Sequence, residues 1–315
     1  MSWDVEKYVI ECEKAGLRSG MSKGEDDILA NFPPYDSEPR AITSPRTIVD
    51  CNGRIMAWVL PNVLPKRIQR AMGKSTSKLG AALHRKMSEK RGHTWRCNPQ
   101  WFGEHMPRGV MDVSPAWFMV GWKGKLEGIR TSPFLATDQG QEWMRDSADA
   151  GAIISGMLRV MHPDQYRMAW EVMNRLRAVR PMEAMWCWPT VFNAVTIVAN
   201  RQCPLHRDAE GMYRCYDILA SVGEYESAPL YLSSLGIQIP NGPGTVVGFS
   251  GKALRHGVAD AMGSHICHAY YVCESLREFL GVRPTAWMSQ EMYRKWVGDT
   301  FQSQWFGMAR DPFDL

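Results

Sequence analysis

Residues 241–258 read Asn241-Gly242-Pro243-Gly244-Thr245-Val246-Val247-Gly248-Phe249-Ser250-Gly251-Lys252-Ala253-Leu254-Arg255-His256-Gly257-Val258. A Gly-Pro-Gly turn leads into an apolar run too short for a helix, Ser250-Gly251 marks a second turn, and 253–258 reads as the returning strand. The same grammar extends on both sides, with strand candidates at 191–200, 214–221, 235–239 and 266–273. Many short strands separated by Gly and Pro turns indicate a sandwich or jelly roll.

Upstream the pattern is helical. Pro163 suits a first helical position, and Tyr166, Ala169, Trp170, Met173 and Leu176 recur at helical spacing, which predicts a helix over 163–177 with these residues covering the core. A shorter helical piece falls at 142–145, and a strand at 117–120. The segments 47–50 and 54–60, joined by Asn52-Gly53, predict a hairpin. The first forty residues are polar, with Pro33-Pro34 as a loop and one short helix near 5–15. A helix over 290–301 closes the chain. The expected class is α+β: a peripheral arm over 1–45, then one domain over 46–315. Within it, 46–185 supply helical and hairpin support, and 186–315 the jelly-roll core.

The 315 residues are 45% hydrophobic, enough to fill a core. No apolar run approaches the roughly 18–20 residues of a membrane span, and the N-terminus lacks a signal peptide's apolar centre, so an intracellular monomer is expected. The eight cysteines form no C-x-x-C pair, which argues against a zinc ribbon or a disulfide framework. Net charge is only +4, but between 61 and 100 ten Lys and Arg stand against the single acid Glu89. Such a segment suits phosphate tracking along a nucleic acid, or simply a solvated helix face. Trp95, Trp101, Trp117 and Trp122 flank it and offer stacking surfaces or core.

His206-Arg207-Asp208 precedes the turn-rich stretch, and His256 ends it. In an extended segment His206 and Asp208 point to one side and Arg207 to the other. Two imidazoles and a carboxylate can occupy one face of an octahedral metal, the arrangement of non-haem Fe(II) oxygenases. By spacing alone, a chance H-x-D beside a hydrogen-bonded core histidine is an equally good reading.

The surrounding words add a resemblance. Asn200-x5-His206-Arg207-Asp208, Cys215-Tyr216-Asp217-Ile218-Leu219, Gly242-Pro243-Gly244-Thr245-Val246-Val247, Leu254-Arg255-His256-Gly257-Val258 and Ile266-Cys267-His268-Ala269-Tyr270-Tyr271 resemble the Tet/JBP family of nucleic-acid dioxygenases, its fungal branch most closely. The resemblance is densest over 191–293 and fainter over 45–180. It implies a double-stranded β-helix, with His206, Asp208 and His256 as catalytic ligands of Fe(II) and with 2-oxoglutarate as co-substrate. It further implies hydroxylation of a methylated base in double-stranded DNA, 5-methylcytosine ahead of N6-methyladenine, and a nuclear location. A catalytically silent nucleic-acid-binding homologue and an oxygenase for RNA or a small molecule are the alternatives.

One position departs from the family. Where an arginine usually pairs with the distal carboxylate of 2-oxoglutarate, this chain has His265. Alternation puts His265, Cys267, Ala269, Tyr271 and Cys273 on one face. Histidine offers one donor and is mostly neutral at pH 7 unless a partner raises its pKa. Three readings follow: a protonated His265 anchors the carboxylate, Arg255 or Arg277 substitutes, or co-substrate binding is weak or lost. His265, Arg255 and Cys267 are thus the expected co-substrate residues, and Gly211 and Cys273 are positional candidates for the substrate side.

Overall fold

The computed structural model describes residues 3–16, 24–32, 40–84, 87 and 95–305. Pro33-Pro34 and the basic residues Arg85, Lys86, Lys90 and Arg91 lie outside them.

In chain order the strands are β1 (Arg40–Ala41), β2 (Arg46–Val49), β3 (Ile55–Leu60), β4 (Gly109–Val113), β5 (Trp117–Phe118), β6 (Ile129–Arg130), β7 (Ala194–Ala199), β8 (Cys203–His206), β9 (Asp217–Tyr225), β10 (Leu230–Leu232), β11 (Ile237–Ile239), β12 (Val246–Phe249), β13 (His256–Val258) and β14 (Gly263–Tyr271). The helices are α1 (Val5–Lys14), α2 (Glu25–Ala30), α3 (Lys66–Lys78), α4 (Gly80–His84), α5 (Asp138–Asp146), α6 (Ala148–Met161), α7 (Pro163–Val179), α8 (Glu274–Phe279) and α9 (Gln290–Trp305).

A seven-stranded sheet, in the order β2-β3-β12-β9-β14-β7-β4, faces a five-stranded one, in the order β1-β11-β10-β13-β8. Every pairing in the larger sheet is antiparallel. This is the expected jelly-roll core with helices packed on it, and the hairpin β2–β3 forms one edge of the larger sheet.

Strand alternation divides the larger sheet into two chemistries. Ile218, Ala220 and Val222 of β9, Ile266 and Tyr270 of β14, Val195 and Ile197 of β7, and Met111 and Val113 of β4 point outward into a core shared with α3 and α5–α7. Their alternates point between the sheets. Toward β3 and β12 that space is filled by Met56, Val59, Val247, Phe249, Leu230, Leu232 and Ile239. Toward β4 and β7 it is left open as a cavity of about 450 Å³.

The segment expected at the periphery instead helps to build the smaller core. Asp4 caps α1 by accepting from the backbone N–H of Glu6 and Lys7. The helix then buries Val5, Tyr8, Val9 and Cys12 beside Trp3. The stripe on α7 also shifts. Met168, Ala169, Val172, Met173 and Leu176 are buried, whereas Trp170 is 55% exposed, because its position is rotated off the line that faces the sheet. No helix among the described residues is long and apolar enough to cross a membrane.

Candidate active site and metal centre

The end of β8 and the start of β13 are paired so that His206 stands directly opposite His256. The ring centroids are 4.3 Å apart. Nδ1 of His206 lies 2.7 Å from the carbonyl of Pro204, and Nδ1 of His256 lies 3.0 Å from the carbonyl of Leu254. A carbonyl only accepts, so each Nδ1 carries the proton and each Nε2 keeps a free lone pair.

Both lone pairs face Asp208: His206 Nε2 is 3.5 Å from Oδ1, and His256 Nε2 is 3.5 Å from Oδ2. The three donor atoms lie within 4.8 Å of one another, and among the described residues this is the one such cluster. The Ser250-Gly251 turn fixes the backbone at Asp208. The carbonyl of Gly251 accepts from the Asp208 N–H at 2.9 Å, and its own N–H donates to Asp217 at 3.0 Å.

Electrostatics leave Asp208 and His256 in their metal-binding forms. Burial opposes ionisation of Asp208, but its close contacts with His206, His256 and Arg96 outweigh it, so its carboxyl sits well below the usual range. Burial, with His206 beside it, pushes His256 down to about 4. A deprotonated carboxylate and neutral imidazoles are the forms a divalent cation takes. Next to them burial and the Asp208 charge push Asp217 well up, which works against a second negative charge in the site.

Arg207 points the other way, as alternation predicts. Its fully buried side chain faces Oε2 of Glu25 at 3.3 Å, while the Tyr8 hydroxyl donates to Oε1 of the same buried carboxylate. The strand that carries two ligands is thereby fastened to α1 and α2.

Behind the ligands, the cavity floor is the inner face of the larger sheet: His265, Cys267, Ala269 and Tyr271 of β14, Thr196 and Val198 of β7, Asp112 of β4 and Leu219 of β9. The expected shared face of β14 is therefore correct as far as Tyr271, and Gly211 lines the cavity too. Cys273 does not. It caps α8, is buried, and donates its N–H to Asn193. Cys267 is a neutral thiol, pushed up to about 12 by burial.

The co-substrate candidates divide sharply. His265 faces the cavity, but burial pushes it down to about 4, and its Nε2 lies 3.4 Å from the Ser221 hydroxyl. Burial thus works against the protonated form that a charged anchor would need. Arg255 is turned toward α2, where it pairs with Asp26. Arg277 lines a separate cavity of about 300 Å³ and donates to the carbonyl of Val282. Neither substitute reaches the cavity behind the metal ligands.

Two arginines that sequence reasoning did not single out as site residues do line it. Arg96 reaches Asp208 Oδ1 at 3.3 Å. Arg201 is buried in the wall, and its Nε has no hydrogen-bond partner. An orphaned guanidinium nitrogen in a cavity behind three metal donors fits a co-substrate that combines a chelating keto acid with a second carboxylate, and the donor set fits Fe(II).

The basic segment resolves differently from its sequence. Arg67 pairs with Asp149 at 2.6 Å, and Lys78 pairs with Glu142 and Asp146 at 2.5 and 2.8 Å. The acids missing from 61–100 are supplied by α5 and α6. Of the flanking tryptophans, Trp95 lies 4.6 Å from the His206 ring, Trp117 lines the cavity, Trp101 packs in a small satellite cluster, and Trp122 is partly exposed.

Comparison with known proteins agrees with this centre. No curated protein sequence matches the chain. Among solved structures, NgTET1 in complex with 5mC DNA superposes with a TM-score of 0.55 at 13% identity, over 94% of this chain and 97% of that one. Residues 125–274 match the Tet_JBP model, the oxygenase domain of the 2OGFeDO superfamily. That span takes in all three donors, and the centre they form is served by Fe(II) and 2-oxoglutarate, the cofactors of the 2OGFeDO superfamily whose oxygenase domain it matches.

Proposed function

We propose that the protein hydroxylates the methyl group of a modified base in double-stranded DNA, with 5-methylcytosine ahead of N6-methyladenine, in the nucleus. The observation that carries the reading is the convergence of His206, Asp208 and His256 on one point at the mouth of a cavity between two sheets. The shared fold with a protein solved on 5mC DNA supports the choice of substrate.

His206, Asp208 and His256 would hold the metal. With 2-oxoglutarate and O₂, the bound Fe(II) supplies the oxidant for a methyl C–H bond, while 2-oxoglutarate is decarboxylated to succinate. The chain's own residues orient and exclude water. Pro204 and Leu254 fix the imidazoles, Gly251, itself held by Asp217, fixes the backbone at Asp208, and Leu219, Val198 and Ala269 give the floor apolar surface. At the other end, Thr196 donates to Asp112 at 2.7 Å, a polar pair suited to the edge of a base. A duplex would have to surrender its base to so enclosed a cavity.

The test is mass spectrometry of nucleosides after incubation with methylated duplexes, Fe(II) and 2-oxoglutarate, with His206→Ala as control. Hydroxymethylated nucleoside from wild type alone is expected, and identical nucleosides from both proteins on every substrate would remove the reading. A silent nucleic-acid-binding homologue is favoured by one observation, the neutral His265 where an anchoring arginine is usual. Succinate release coupled to oxygen uptake separates the two.

A further inference from the structure

One buried cation in the cavity wall has no counter-ion among the described residues. Arg201 follows Asn200, whose left-handed backbone (φ 52°) turns the chain out of β7. Asn200 is locked onto its neighbour strand: its N–H donates to the His265 carbonyl at 2.8 Å, and its Oδ1 accepts from the His265 N–H at 2.7 Å. Position 201 is thereby held beside position 265. The Arg201 side chain is 7% exposed and lies against Trp95 and Phe102, with Cζ 4.9 and 6.0 Å from their ring centroids. Nη1 donates to the carbonyl of Arg96 at 3.0 Å, Nη2 meets only the sulfur of Cys203 at 3.5 Å, and Nε meets nothing. None of the ion pairs among the described residues includes it.

A desolvated guanidinium without an anion is unfavourable unless a ligand completes it. Its surroundings point to the ligand's place. The indole that packs on Arg201 also packs on the metal ligand His206 at 4.6 Å, so one ring bridges the cation to the metal centre. Among the described residues the other basic candidates are committed elsewhere: Arg255 to Asp26, Arg277 to a different cavity, and Arg96 to Asp208 itself. Nε2 of His265 already faces Ser221. Nε and Nη2 of Arg201, by contrast, form one edge of a planar fork, the side that a carboxylate accepts in a bidentate pair.

We propose that Arg201, carried at the entry to β8, pairs with the distal carboxylate of 2-oxoglutarate, the role that the Tet/JBP resemblance would give to position 265. The inference rests on the co-substrate assignment, not on the choice of DNA as substrate. Binding exchanges the weak Nη2 contact with sulfur for oxygen and gives Nε its missing acceptor. No covalent step is involved.

The test compares two ligands that differ only at the distal end, 2-oxoglutarate and 2-oxopentanoate. Each is titrated calorimetrically into the Fe(II)-loaded protein under argon. A charge-assisted, desolvated pair gives wild type a preference of about 10- to 100-fold for the diacid. Arg201→Met brings that preference to near unity while leaving 2-oxopentanoate binding in place. Arg201→Lys, which keeps the charge and the stem between the two aromatic rings, retains part of it and separates loss of the anchor from loss of the fold. His265→Ala leaves the preference unchanged. The assignment is overturned if Arg201→Met keeps the wild-type preference, if His265→Ala or Arg96→Met abolishes it while Arg201→Met does not, or if wild type binds both acids equally. Wild type that binds Fe(II) but neither acid would overturn the co-substrate assignment along with it.

Discussion

Replacing Arg207 by methionine should loosen the metal centre from behind. The side chains of Arg207 and Glu25 are only 2% and 1% exposed, and their charges face each other at 3.3 Å. Removing the guanidinium leaves the buried Glu25 carboxyl with the Tyr8 hydroxyl as its one hydrogen-bond donor among the described residues. Breaking such a pair from one side costs about 3–5 kcal/mol, whereas replacing both partners by neutral groups is often close to neutral. For a chain of this size that corresponds to a fall in Tm on the order of 10 °C. Because His206 and Asp208 flank Arg207, Fe(II) affinity should also fall, by roughly 10- to 100-fold as for other groups that orient metal ligands. The assay is urea unfolding followed by tryptophan fluorescence on Arg207→Met, Glu25→Gln and the double variant, with anaerobic Fe(II) titration of each. The double variant should recover at least about 2 kcal/mol of the loss, since coupled neighbours depart from additivity by that order. A loss below about 1 kcal/mol for Arg207→Met, or a double variant no more stable than the single one, would refute the clamp.

Acid should destabilise the protein in a defined window. Burial pushes His162, His265 and His268 down to about 4, so the folded state holds them neutral where the unfolded chain protonates near 6.5. Stability should therefore be full above pH 7 and fall as pH drops from about 6.5 to 4, by at most about 3 kcal/mol for each histidine. Urea midpoints at pH 7 and pH 5 check this, and His268→Gln should flatten the slope. Gly251→Ala would place a Cβ 2.7 Å from Asp208 Oδ2 and 2.8 Å from Asp217 Oδ2. Fe(II) binding should weaken more than about tenfold while far-ultraviolet dichroism is unchanged, because the displaced groups are ligand and support rather than core. On α3, Arg70 and Lys74 are exposed, whereas Arg67 and Lys78 already pair with acids of α5 and α6. Fluorescence anisotropy with a methylated duplex should show Arg70→Gln and Lys74→Gln lowering affinity and its salt dependence more than Arg67→Gln or Lys78→Gln does.

The features that depend on local period were legible in the sequence. The alternation of β14 put His265, Cys267 and Tyr271 on the inner face, and the turns at Gly242-Pro243-Gly244 and Ser250-Gly251 bounded β12. Spacing placed His206 and Asp208 together and the turn at 250–251 delivered His256 on a returning strand, but that alone left the metal and a chance H-x-D equally good, and the cross-strand pairing of His206 with His256 is what the structure adds. What escaped was long-range. Arg201 gains its meaning from Trp95 and His265, far off in sequence, and nothing local marks it. The bases of α3 looked unopposed because their acids lie some seventy residues downstream, on α5 and α6. α6 itself was hidden by Gly151, Ser155 and Gly156, poor helix formers, of which Gly151 is required by contact with Pro189: a Cβ there would lie 2.3 Å from the Pro189 carbonyl oxygen. α1 looked peripheral because its polar face dominates the composition, whereas four of its residues are buried.

The pairing of His206 with His256 across β8 and β13 bears on how the protein acquires its metal. The distance between the two imidazoles is set by the spacing of hydrogen-bonded strands, and each ring is already tethered to a carbonyl two residues before it. The ligands are therefore in place before any ion arrives, unlike those of domains that fold only around their metal. Loading becomes a local exchange of water for donor atoms. The protein should lose and regain its iron, or accept another divalent ion offered in excess, without unfolding between the two states.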